Sequence, residues 1–160
     1  MILRTIILII IGFHTWGKVS GQLILTEEEN IAWIDMLKNK KELSEQLSML
    51  RTRMLADTNV YVKNIGDRVI VKTQENKNKE LGLCRPMLIV EGYFIQVSNY
   101  TDNKTVEDLT NELTTDRIKQ LEVVDVDKAK ALFGQNAWCG VVLLTTKNKT
   151  SKKALLRYKI

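Results

Sequence analysis

The stretch that decides the fold opens with Pro86-Met87-Leu88-Ile89-Val90-Glu91-Gly92 and continues through Asp116-Arg117-Ile118-Lys119-Gln120-Leu121-Glu122-Val123-Val124-Asp125. It closes with Ala129-Lys130-Ala131-Leu132-Phe133-Gly134 and Gly140-Val141-Val142-Leu143-Leu144-Thr145-Thr146-Lys147. Met87–Val90 is an uninterrupted apolar run, as expected of a strand covered on both faces. Pro86 at its start forfeits no interior ladder bond, and Gly92 marks the turn out. Lys119–Val124 and Gly140–Thr146 read as two further core strands. A cap-like Thr105 followed by Glu107 and Asp108 starts a short helix expected near Thr105–Glu112. A second helix is expected over Asp127–Phe133, ended by Gly134. Each interval between core strands holds a helix and is long enough for a crossover, which favours parallel pairing. The expected architecture is α+β: a small mixed sheet with two short helices. Its predicted core is Leu88, Val90, Ile118, Leu121, Val123, Leu132, Phe133, Val142 and Leu144.

In order, spacing and wording, these segments resemble the plug domain of TonB-dependent outer-membrane receptors, and the SusC-like nutrient receptors most closely. In that family a Pro-Leu-Ile-Val-Asp-Gly-like strand precedes an Ile-Glu-x-Ile-Glu-Val-like strand. An Ala-Leu-Tyr-Gly-like helix end and a Gly-Val-Ile-x-Ile-Thr-Thr-Lys-like strand follow. The resemblance covers roughly residues 85–147. It implies a domain that gates a surrounding β-barrel, and it supplies no catalytic residues. A barrel needs many more amphipathic strands of about 10 residues each, and none is expected after Thr146. No TonB box is recognisable near Gln22. The family's Gly-Ala-Asn-Gly-like turn reads Asn136-Ala137-Trp138-Cys139-Gly140 here, with a large aromatic and a thiol where the family is small.

Upstream, Thr26-Glu27-Glu28-Glu29 has the form of a capping box, and neither proline nor glycine interrupts the chain from there to Asp57. One long N-terminal helix is expected. Leu43, Leu47, Leu50 and Met54 form a short heptad seam. Either the helix packs on its own domain or it pairs with another copy or partner; the shortness of the seam favours the first. Asn59–Lys63 and Arg68–Thr73 alternate apolar and polar residues about Asn64–Asp67 and read as a β-hairpin, with Val60, Val62, Val69 and Val71 on one side. Gln74–Glu80 reads as a polar linker. The expected organisation is a signal peptide over 1–21, a helix and hairpin unit with linker over 22–80, a plug-like domain over 81–147 and a basic tail over 148–160.

The signal is read from Arg4, the apolar run Ile6–Phe13 and the small residues Val19-Ser20-Gly21. That run is short of the roughly 20 apolar residues that a membrane span requires, and cleavage leaves Gln22 first. The alternative is a retained anchor. Because the plug resemblance implies a Gram-negative bacterium, export is expected to lead to the periplasm, where the chain can associate with the outer membrane. The chain has 24 basic and 19 acidic residues. The tail from Lys147 holds Lys147, Lys149, Lys152, Lys153, Arg157 and Lys159 without an acid. The basic excess is therefore a property of the tail, and nucleic acid is not an expected partner. The tail can lie against an anionic membrane surface or remain a solvated end.

Catalytic constellations are lacking. The one histidine, His14, lies in the signal segment, which leaves no Ser-His-Asp or Cys-His arrangement in the exported chain. No Gly-rich phosphate loop is present. Asp125 and Asp127, the closest carboxylate pair of the core, read as a strand end and a helix start rather than a metal site. No cofactor, metal or enzymatic activity is expected. Asn99-Tyr100-Thr101, Asn103-Lys104-Thr105 and Asn148-Lys149-Thr150 match the N-glycosylation pattern, which carries no weight in a Gram-negative bacterium. Cys84 and Cys139, the two cysteines, each precede a core strand. They form a disulfide if those strands are parallel neighbours and the Cα atoms lie about 4.4–6.8 Å apart; two separate thiols are the alternative.

Two function classes follow. One is an exported non-enzymatic interaction module that binds an envelope or outer-membrane protein through Gln135, Asn136, Ala137, Trp138 and Cys139, centred on Trp138. The other is an accessory or remnant of a TonB-dependent uptake receptor whose barrel is encoded elsewhere.

Overall fold

The computed structural model describes residues 27–57, 61–65, 68–72, 85–95, 103–134 and 137–158. The signal segment, Thr26 of the capping box, the linker Gln74–Glu80, Cys84, Gln135 and Asn136 lie outside the described residues. The elements are α1 (Glu27–Asn39), α2 (Leu43–Asp57), β1 (Tyr61–Ile65), β2 (Arg68–Lys72), β3 (Met87–Val90), β4 (Tyr93–Ile95), α3 (Asn103–Glu112), β5 (Ile118–Val124), α4 (Val126–Phe133), β6 (Val141–Thr146) and α5 (Lys149–Leu155). The described residues are α+β, with five α-helices and a four-stranded mixed sheet in the order β4-β3-β6-β5. β1 and β2 pair antiparallel in a separate two-stranded sheet, from Tyr61 opposite Lys72 to Ile65 opposite Arg68; their side chains lie outside the description.

β3 and β6 run parallel, Leu88 beside Val142 and Val90 beside Leu144. β5 is antiparallel to β6, with Leu121 opposite Leu144 and Val123 opposite Val142. This corrects the parallel pairing expected of all three strands. The helix between β5 and β6 does not carry the chain across the sheet: the chain returns beside the strand it left. β4, absent from the sequence reading, folds back antiparallel on β3. Glu91 and Gly92 join the two strands with φ of 51° and 81°, the positive angles that a two-residue type I′ turn demands.

The strands sort their side chains by parity. Leu88, Val90, Ile95, Ile118, Leu121, Val142 and Leu144 join one large buried cluster. A register shift between Ile118 and Gln120 brings Ile118 and Leu121 to the same face despite their odd spacing. Trp33, Ile34 and Leu37 of α1, Leu47, Leu50 and Met54 of α2, Val106 and Leu109 of α3 and Leu155 of α5 complete this core. The opposite face carries a smaller cluster of Ile89, Val124 and Val141, covered by Ala129 of α4 and by Ala137.

Three sequence expectations change. The single long helix is broken between Asn39 and Leu43. A straight helix over the same span is about 45 Å long at 1.5 Å per residue, more than twice the roughly 20 Å of a six-residue strand. Breaking it lets α1 and α2 bury their apolar sides in the same core. Gln46 secures the break, its Nε2 donating to the carbonyls of Leu37 (3.5 Å) and Lys40 (3.2 Å), acceptors that a helix end leaves open. Leu132 and Phe133, expected in the core, are exposed, because α4 buries only Val126 and Ala129 before Gly134 ends it. Val123 is half-buried against the large core. Finally, Lys149–Leu155 of the presumed tail is a helix. Asn148 caps it, its side chain accepting from the Ser151 amide at 2.8 Å, and Ser151 and Leu155 are buried one turn apart.

Candidate functional site

The candidate site is the turn between α4 and β6. Asp125, at the other end of α4, caps the helix by accepting from the Lys128 amide at 3.1 Å. That hydrogen bond, with a lesser contribution from Lys38 at 3.4 Å, holds the Asp125 carboxyl below its ordinary value. Asp127 stands in the first turn of α4. The pair thus serves the helix start. Among the described residues no group of three or more His, Cys, Asp or Glu is placed to hold a metal ion.

Gly134 leaves α4 with φ of 76°, its amide donating to the Lys130 carbonyl. The Ala137 amide then donates to Gly134 (3.1 Å), the Gly140 amide to Ala137 (2.9 Å), and the Met87 amide to Gly140 (2.9 Å), which ties the turn to β3. Gly140 has φ of 85°, and a Cβ added there meets Ile34 Cδ1 at 3.2 Å and the Val124 carbonyl at 3.3 Å. A bulkier residue has neither the backbone angle nor the space. From α1, Asn30 reaches across and its Nδ2 donates to the Cys139 carbonyl at 2.8 Å.

Within this clamp Ala137 is 0 % and Cys139 1 % exposed, whereas Trp138 between them is 37 % exposed. The expected contact residues therefore separate. Ala137 and Cys139 are structural, Trp138 faces outward, and Gln135 and Asn136 lie outside the described residues. Cys139 is disulfide-bonded. Cys84, the other cysteine of the sequence, lies outside the described residues. Leu132, 70 % exposed, and Phe133, 39 % exposed, precede the turn. Three large apolar side chains are thus exposed within seven residues of chain.

A buried ionic cluster that the sequence reading passed over sits at the end of α2. Arg53 Nε reaches both Asp57 carboxylate oxygens, at 2.9 and 3.0 Å, and its guanidinium stacks 5.3 Å from the Trp33 ring centroid. Arg85 Nη2 donates to the Asp57 carbonyl at 2.6 Å. Burial pushes the Asp57 carboxyl above its ordinary value despite the two arginines, and lowers Arg85. The four-residue spacing of Arg53 and Asp57 was the available signal. The cluster fastens α2 to the residue that leads into β3 and borders a cavity of about 60 Å³ lined by Leu50, Met54, Leu88 and Val142.

Among the described residues no helix is long and apolar enough to cross a membrane. Comparison with known protein families, curated proteins and solved structures gives no match.

Proposed function

We propose that this chain is an exported, non-enzymatic binding module of the plug type, acting on an envelope protein at the periplasmic side of the outer membrane. The observation that carries this reading is the exposed Trp138 on a turn clamped from α1, α4, β3 and the core. Rigid, outward-facing tryptophans are favoured anchors of protein interfaces because they bring large contact area with little entropy to lose. The segments that carry the plug resemblance coincide with regular elements. The Pro-Leu-Ile-Val-Asp-Gly-like segment forms β3, the Ile-Glu-x-Ile-Glu-Val-like segment β5, the Ala-Leu-Tyr-Gly-like segment the end of α4, and the last segment β6. The export signal and the absence of a histidine beyond it, read from sequence, supply the compartment and argue against acid–base catalysis.

A photo-crosslinking residue at position 138 tests the reading. A single discrete adduct with an outer-membrane protein, absent when the same probe stands at Lys104 on α3, is expected. Equal labelling from both positions contradicts it. An adduct with a receptor barrel identifies the protein as the accessory of an uptake receptor. The non-enzymatic part fails if the purified protein turns over a substrate or forms ion-conducting pores by itself.

A further inference from the structure

α5 has one side in the core and one in water. Ser151 and Leu155 point inward, leaving Lys149, Lys153 and Arg157 exposed at intervals of four residues. In α5 such spacing stacks Lys149 and Lys153 on one helical face, and Arg157 follows in the 3-10 turn Leu156–Tyr158. Lys152 and Leu156 join them along a shallow surface groove. Beside this face, on the edge strand β4, Tyr93 is exposed and its ring centroid lies 5.4 Å from Lys152 Nζ. Two acids temper the charge: Glu112 pairs with Arg157 at 3.4 Å and with Arg117 at 3.0 Å, and Glu91 lies within electrostatic reach of Lys152. Lys149 and Lys153 make no ion pair among the described residues.

We infer that the α5 face, with Tyr93 at its edge, docks on a bilayer surface carrying anionic phospholipid. The chemistry favours a membrane over other polyanions in three ways. The cations sit on long stems along a fixed helix, so their ammonium groups can spread over headgroups while their methylenes cover apolar surface. Tyr93 supplies the amphipathic ring that settles at the headgroup level. Leu156 gives the groove an apolar floor that an acyl–glycerol region matches and a nucleic-acid backbone does not. The fold itself makes this face: without the Asn148 cap and the buried Ser151 and Leu155, the cations would not share one surface. This contact is separate from the Trp138 turn, and its test involves no protein partner.

The test is co-sedimentation of the purified full-length chain with vesicles of phosphatidylcholine alone and of phosphatidylcholine mixed with phosphatidylglycerol. Binding is expected to be stronger when phosphatidylglycerol is present, and that excess to weaken with added salt. Any insertion of the N-terminal apolar run is common to both vesicle types, and Arg4 and Lys18 are common to all variants. The double substitution Lys149→Gln, Lys153→Gln is expected to weaken binding about twenty-five-fold, about fivefold for each cation removed from the surface. Lys149→Arg, Lys153→Arg restores it, and Trp138→Ala leaves it unchanged. Circular dichroism checks that each variant is folded; both replaced side chains are exposed. The inference is overturned by equal binding to both vesicle types, by undiminished binding of the double Gln variant, by loss of binding in Trp138→Ala, or by retention on heparin or DNA without retention on vesicles.

Discussion

Asn30 and Cys139, 109 residues apart, are joined by a buried hydrogen bond of 2.8 Å from the Asn30 amide to the Cys139 carbonyl. The bond connects the first described helix to the turn that displays Trp138. Asn30 is fully buried, and its Oδ1 has no hydrogen-bond partner among the described residues. So polar a residue is retained there at a cost that the link to Cys139 offsets.

Asn30→Leu is therefore expected to destabilise the protein by about 1–3 kcal/mol, because the buried Cys139 carbonyl loses the hydrogen bond that Asn30 donates. Urea unfolding measures it, as a lower midpoint with an unchanged slope. An unchanged midpoint shows that the bond is not holding the turn.

Two glycines of similar backbone angle separate strain from crowding. Gly92→Ala meets open space, and Gly140→Ala meets Ile34 and the Val124 carbonyl. Both bear the cost of a left-handed alanine, about 1–2 kcal/mol. Gly140→Ala is expected to cost measurably more, and equal losses contradict the close packing of the turn on α1.

The acid response should come from Glu91 and not from Asp57. Glu91 Oε1 accepts from the Thr146 amide at 2.6 Å and its hydroxyl at 2.8 Å, and these bonds hold its carboxyl below the ordinary 4.5. A lowered carboxyl contributes stability that is present above its unfolded value and lost as pH falls through the folded one. Asp57, raised by burial, has the opposite sign: its contribution is present at low pH and lost as pH rises through its folded value. Glu91→Gln is thus expected to lower the melting temperature at neutral pH, with the gap to the parent closing on acidification below 4.5. A gap that widens contradicts this assignment.

The pairing of Cys84 with Cys139 predicts no free thiol in the unreduced, unfolded protein, and one, at Cys139, in Cys84→Ser. Alkylation followed by mass measurement reads both. Two free thiols in the parent exclude the bond.

Much of this architecture is legible in the sequence because local signals and tertiary packing agree. Met87–Val90 reads as a buried strand and lies inside the sheet, and Gly134 does stop α4. The departures occur where local signals are neutral. Nothing between Lys40 and Glu42 breaks a helix by propensity; the limited extent of the sheet does. Leu132 and Phe133 are apolar, yet the face that α4 covers is filled by Ala129 and Ala137, leaving no place for larger side chains. The lysines of α5 masked a helix whose cap, Asn148, and whose buried pair, Ser151 and Leu155, were already in place. At the candidate site, the sequence singled out Trp138 by its size, but the turn that carries it is bonded to Asn30 through Cys139, and no local pattern connects the two.

The most direct test of the account is Trp138→Ala, with the melting temperature and the recovery of the position-138 crosslinking partner measured on the same preparation. The account predicts that the partner is lost while the melting temperature stays within about 2 °C of the parent, since surface substitutions away from packed features shift stability by no more than about 0.5 kcal/mol. A large fall in melting temperature with the partner still bound contradicts it, and assigns Trp138 to packing rather than recognition.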